Sequence, residues 1–184
     1  IIGLPNAGKS TLISKLSSAR PKIAGYPFTT LIPSLGMVEA TDNYRFIIAD
    51  IPGLIKGAGD GVGLGTRFLK HVERTRILLH LIDVSAMTAD DFLAPFEIIN
   101  RELAAFNPQL AQKRQVVVLN KIDQPGTSTM AEKAKAALRA RNPDVWAISA
   151  LTGIGLEPLR AHLASLVHQQ TDGNNHRNGN DPLD

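Results

Sequence analysis

Short apolar runs recur along the chain, separated by stretches whose apolar residues fall at helical spacing. The runs Leu35 to Ala40, Phe46 to Ala49, Ile77 to Ile82, Val116 to Leu119 and Val145 to Ile148 predict strands, and Ile1-Ile2 reads as the end of another. Helices are predicted over Gly8 to Ser18, Thr66 to Thr75, Asp90 to Phe106, Ala131 to Ala140 and Leu156 to His168. Asp90 or Asp91 can cap the third of these, and Asn107-Pro108 ends it. Strands that alternate with amphipathic helices indicate an α/β fold, with a mostly parallel sheet covered on both faces. Thr41-Asp42-Asn43 joins two consecutive runs by a short hairpin connection, which makes one strand antiparallel. Residues 1–169 form the expected folded domain, and the polar residues 170–184 are expected to be a disordered tail or linker.

Composition narrows this picture in a few places. A chain of 184 residues with 43 % hydrophobic content can bury one substantial core, as a single domain does. The net charge of +3 comes from 20 basic against 17 acidic residues, too small an excess to argue for a polybasic nucleic-acid surface. Cysteine is absent, so disulfides and thiolate metal sites are excluded. No apolar run approaches the roughly 20 residues of a membrane span, and a cytoplasmic monomer is the expectation. His80, inside the run Leu78 to Ile82, is expected to be a satisfied core histidine.

Three motifs carry chemistry. Gly3-Leu4-Pro5-Asn6-Ala7-Gly8-Lys9-Ser10-Thr11 fills the template G-x-x-x-x-G-K-[ST] at a strand-to-helix turn. Such a loop lets backbone N–H groups close around phosphates at the positive end of a helix. Lys9 would reach the β and γ phosphates, and Ser10 would offer its hydroxyl to Mg²⁺. The second motif is Asp50-Ile51-Pro52-Gly53, after the apolar strand Phe46 to Ala49. A carboxylate at that strand end can hold Mg²⁺ through water, and the Gly53 N–H can approach the γ-phosphate. The third, Asn120-Lys121-Ile122-Asp123, follows Val116 to Leu119. Asp123 can accept two hydrogen bonds from guanine, a donor pair that adenine lacks. Lys121 would lay its stem along the base, Asn120 would tie this loop to the phosphate loop, and backbone N–H groups of Ser149-Ala150-Leu151 would contact the base.

With these motifs the chain resembles the translation-factor-like small GTPases, and among them the Obg family of ribosome-associated GTPases. The resemblance spans residues 1 to 169. It is carried by Tyr26-Pro27-Phe28-Thr29-Thr30-Leu31 and by the glycine-rich stretch from Asp50 to Gly65. It implies the P-loop NTPase fold of a Ras-like G domain, with six strands, mostly parallel, one antiparallel, and helices on both faces. The implied chemistry is hydrolysis of GTP to GDP and phosphate with Mg²⁺, and the implied partner is the large ribosomal subunit during its assembly. Thr30 matches the switch threonine that would complete the Mg²⁺ site beside Ser10 and Asp50. Obg proteins also carry an N-terminal glycine-rich domain with nothing corresponding here. The expectation is therefore an excised G domain with a truncated first strand and weakened ribosome binding.

Leu54 stands where Ras-type proteins place a water-positioning glutamine, and an aliphatic chain cannot orient water, so slow intrinsic turnover is expected. Lys9, Thr30, Gly53 and Asn6 are the candidate catalytic residues. In related GTPases with an aliphatic replacement, an asparagine at the Asn6 position can help bind K⁺ between the phosphates; otherwise Asn6 hydrogen-bonds the first switch. The glycines at 57, 59, 61, 63 and 65 suggest a segment that orders on GTP and partner binding, or an irregular loop kept small for packing. The alternative function is a binding module that senses nucleotide state, with hydrolysis incidental.

Overall fold

The computed structural model describes residues 1–18, 22–23, 34–41, 44–50, 75–88 and 91–175. Among them the strands are β1 (Lys22–Ile23), β2 (Ser34–Thr41), β3 (Tyr44–Ala49), β4 (Leu78–Asp83), β5 (Gln115–Asn120) and β6 (Val145–Ala147). The helices are α1 (Lys9–Leu16), α2 (Ala94–Phe106), the short α3 (Pro108–Ala111), α4 (Thr127–Arg139) and α5 (Leu156–Asn175), with a 3-10 turn at Val84–Ala86.

β4, β5 and β6 pair in parallel, in that order, while β1, β2 and β3 pair antiparallel. Ile1-Ile2 lies between the two groups. The Ile1 nitrogen donates to the Ala49 carbonyl of β3, and Ile2 exchanges hydrogen bonds of 2.9 Å with Leu79 and Leu81 of β4. The parallel rhythm and the hairpin match expectation. The strand inventory differs, because the two-residue β1 extends the antiparallel group and Ile2 makes an isolated parallel bridge to His80 rather than a full strand.

β5 explains why the sheet needs two covered faces: Val116 to Asn120 are all buried. Val116 and Val118 join Leu79 and Leu81 against Leu12 and Ile13 of α1 and Leu159 and Leu163 of α5. Val117 and Leu119 face the other way, onto Ala131, Ala134 and Leu138 of α4, and Leu78 packs on Ile99 and Leu103 of α2. Alternation along a strand assigns each residue to one layer or the other. Truncating a residue as enclosed as Leu81 to alanine would cost about 2–5 kcal/mol.

Helix boundaries show where tertiary contacts override local pattern. α2 starts at Ala94 because the Asp91 carboxylate accepts from the N–H groups of Leu93 and Ala94, at 3.0 and 2.8 Å. Asn107 both ends α2 and caps α3, its side chain accepting from Gln109 N–H at 2.8 Å. α4 starts at Thr127, before the predicted Ala131, since Gly126 turns the chain with φ 77° and the Thr127 hydroxyl donates to the Lys121 and Gln124 carbonyls. α5 is longer than the predicted helix: it continues through Asn175, past His168. Polar residues extend a helix cheaply once its earlier turns are packed. Residues 176–184 lie outside the described residues, as does the predicted helix over Thr66 to Thr75 except its last residue.

Candidate nucleotide site

The loop between Ile2 and α1 is shaped by close approaches. Gly3 has φ 149°, and a Cβ there would sit 2.3 Å from the Leu81 carbonyl oxygen. Gly8, with φ 96°, precedes α1, and among the described residues no side chain caps the first turn of that helix. Its N–H groups are therefore left for an incoming acceptor, and the helix dipole favours an anion there. Pro5 and Asn6 are exposed at the crest, and Asn6 takes a left-handed φ of 63°, which asparagine tolerates better than most residues.

Lys9 reaches back over this loop, its Nζ donating to the carbonyls of Gly3 and Leu4 at 2.9 and 3.1 Å. Burial pushes its ammonium below the usual lysine range, and the nearby Asp50 carboxylate opposes that shift. Asp50 is fixed at the end of β3 by its N–H, which donates to the Ser34 carbonyl at 2.9 Å. Its Oδ1 is buried and has no hydrogen-bond partner among the described residues. Ser10 and Thr11 are exposed on the first turn of α1.

Asn120 joins this half of the site to the other. It is 2 % exposed; its Nδ2 donates to the Ala7 carbonyl at 2.8 Å, and its Oδ1 accepts from the Ala150 N–H at 2.9 Å. One side chain thus locks the phosphate loop, the end of β5 and the segment after β6. Lys121 follows in a left-handed turn, φ 70°, and Asp123 is exposed two residues on. Within Ser149-Ala150-Leu151, the Ser149 N–H is given to Ile154 and the Ala150 N–H to Asn120, which leaves Leu151, 67 % exposed, as the segment's remaining backbone donor. The Ser149 hydroxyl is turned inward and accepts from the Thr152 N–H at 3.1 Å.

The structure therefore brings together Gly3, Pro5, Asn6, Ala7, Gly8, Lys9, Ser10, Thr11, Asn120, Lys121, Asp123, Ser149, Ala150 and Leu151 around one end of the parallel sheet, with Asp50 beside Lys9. Thr30, Gly53, Leu54 and the glycine run lie outside the described residues. Sequence reasoning missed Asp83. Its Oδ2 pairs with Lys121 Nζ at 2.6 Å, while its Oδ1 accepts from the N–H and hydroxyl of Ser85 at 2.9 and 2.6 Å. The available signal was a carboxylate closing an apolar strand, the same signal that singled out Asp50. His80 is only half satisfied: Nδ1 lies 3.4 Å from Gln115 Oε1, whereas Nε2 is buried without a partner among the described residues. A cavity of about 650 Å³ lies elsewhere, lined by residues such as Phe46, Ile48, Ile77 and Leu163, and contains none of the motif residues.

A family model described as 50S ribosome-binding GTPase matches residues 1–121. The chain belongs to that family. Within it, the chain is 56 % identical over 167 residues to GTPase Obg of Desulfosudis oleivorans, covering 91 % of this chain and 50 % of the relative. It is 57 % identical over 159 residues to GTPase Obg of Desulforudis audaxviator, covering 86 % of this chain and 37 % of the relative. The expectation of an Obg-family G domain is met, and the chain spans about half or less of these relatives. Among solved structures it resembles Era in complex with MgGDPNP and nucleotides 1506–1542 of 16S ribosomal RNA, with TM-score 0.65, 26 % identity, and coverage of 89 % of this chain and 54 % of that one. The same TM-score and coverage, at 25 % identity, relate it to a variant of Aquifex aeolicus Era bound to GDP·AlF4⁻. Among the described residues, no helix is long and apolar enough to cross a membrane.

Proposed function

We propose that this G domain binds GTP and hydrolyses it slowly to GDP and phosphate, as a cytoplasmic monomeric switch that acts on the assembling large ribosomal subunit. The observation that carries the reading is the Asn120 bridge, since it sets the phosphate loop and the Lys121 to Asp123 turn in one rigid frame before any nucleotide arrives. Asp123 accepts from the ring N–H and amino group of guanine; adenine would leave that carboxylate unpaired, a mismatch that costs about 10⁴ to 10⁵ in discrimination. Lys9 exchanges its two loop carbonyls for phosphate oxygens.

Mg²⁺ fits the donor set. The buried Asp50 Oδ1, without a hydrogen-bond partner among the described residues, is a hard oxygen suited to the ion, and Ser10 and Thr30 would add hydroxyls. Among the described residues no group of three His, Asp or Glu forms a metal cage. That suits an ion held by few protein oxygens, with phosphate and water completing its shell. Bound there, the ion would neutralise charge on the β and γ phosphates. Asn6, exposed at the crest of the loop, would help hold K⁺ and offset the missing glutamine at Leu54. Era, crystallised with MgGDPNP and a ribosomal RNA segment, lends support by likeness.

Multiple-turnover phosphate release, measured with Mg²⁺ in KCl and in NaCl, with and without large ribosomal subunits, tests the reading. Slow turnover that rises in KCl and with subunits is expected. GDP binding without any phosphate release would replace hydrolysis by nucleotide sensing, and equal rates in the two salts would remove K⁺.

A further inference from the structure

We propose that Asp83 is a positioning residue for guanine recognition, acting through Lys121; the proposal rests on the guanine-nucleotide reading above. Asp83 ends β4 and lies opposite Asn120 in the register of β4 and β5, so its carboxylate faces the first residue after β5. Its two oxygens are divided between two tasks. Oδ1 is anchored by the Ser85 N–H and hydroxyl, which caps the 3-10 turn Val84–Ala86, and Oδ2 takes Lys121 Nζ at 2.6 Å.

Lys121 needs such an anchor. Its φ of 70° is a left-handed conformation, unfavourable for a residue with a long side chain, and it persists only where its surroundings hold it. Here it is held at both ends: Nζ by Asp83, and the carbonyl by the Thr127 hydroxyl at 3.0 Å. Ile122, next in the chain, donates its N–H to the Ile148 carbonyl at 3.3 Å. The turn that presents Asp123 is therefore fixed in advance, and a base meets an arranged acceptor instead of having to order one. The Lys121 and Asp83 side chains are 28 % and 14 % exposed, so this pair is more sheltered than a surface ion pair, and less screened.

The test is a double-mutant cycle on equilibrium binding and release of fluorescent GDP, in variants first shown to unfold cooperatively. Asp83→Asn, which can keep the Oδ1 cap on Ser85 but loses the charge, is expected to weaken GDP about tenfold, mainly through faster release. In a Lys121→Met background the same substitution is expected to change affinity less than about twofold. Ser85→Ala, which leaves Oδ2 on Lys121, is expected to bind as wild type does. Should Asp83→Asn not fold, Lys121→Met takes its place, since it keeps the stem and removes only the ammonium; the tenfold loss is then expected there. Wild-type affinity in the variant tested, or an equal loss with and without Lys121, overturns the proposal. Failure of the wild-type domain to bind GDP overturns instead the nucleotide reading beneath it.

Discussion

A Cβ placed on Gly8 would stand 2.4 Å from the Nδ2 of Asn120, the atom that donates to the Ala7 carbonyl. The two residues are 112 positions apart, yet the absence of a side chain at one is the condition for the hydrogen bonds of the other. Gly8 thus has a second duty besides its positive φ, and the phosphate loop and the base loop form one unit.

Gly8→Ala is accordingly expected to do two kinds of damage. Strain at φ 96° and displacement of Asn120 together should lower stability by about 1–3 kcal/mol. GDP binding should weaken by about 100-fold, since both loops shift. Urea denaturation and calorimetric titration measure the two effects. Wild-type values in both would show that the loops tolerate the added carbon.

Asn120→Ala leaves the Ala7 carbonyl and the Ala150 N–H without their partner in a buried place. A loss of about 2–4 kcal/mol in unfolding free energy is expected, larger than for a typical surface substitution. A change below about 0.5 kcal/mol would mean that water or backbone movement replaces both bonds.

Much of this site was legible because its chemistry constrains sequence locally. A loop that must pass 2.3 Å from Leu81 where a Cβ would be, then turn left-handed into a helix, needs glycine at 3 and 8, and that spacing is visible without a fold. The continuous apolar run of β5 likewise announced a strand covered on both faces. Pairings across strands were not legible: Asp83 and Lys121 meet only because β4 and β5 are in register, which no local pattern records. The end of α5 was missed for a related reason. Thr171 to Asn175 are polar enough to read as coil, yet helix propagation depends on the packed turns before them. His80 was placed correctly in the core, but its unpartnered Nε2 depends on which side chains surround it.

Asp123→Asn should exchange guanine for xanthine. The amide oxygen can accept from the ring N–H that both bases carry, while its NH₂ donates to the xanthine 2-oxo group and faces the guanine amino group donor to donor. Competition between GDP and XDP is expected to shift by about 10³-fold or more toward XDP. Unchanged preference would remove Asp123 from base recognition.

His80 gives the fold a pH dependence of known sign. Burial, partly offset by its hydrogen bond to Gln115, lowers its pKa from 6.5 to about 4, so the folded state holds it neutral while the unfolded chain takes up a proton below 6.5. Stability should be full above about pH 6.5 and decline as the pH falls toward 4, by on the order of 3 kcal/mol over that window. His80→Leu, close in volume and without a titrating group, should flatten this part of the curve relative to wild type. Parallel curves for the two proteins between pH 4 and 6.5 would assign the acid sensitivity to other groups.

The most direct measurement is equilibrium binding of GDP and of ADP to this domain in Mg²⁺, by calorimetric titration. The arrangement around Asn120 and Asp123 predicts that GDP binds about 10⁴-fold more tightly than ADP, with one site per chain. Comparable affinity for the two nucleotides, or no binding of GDP, would contradict it.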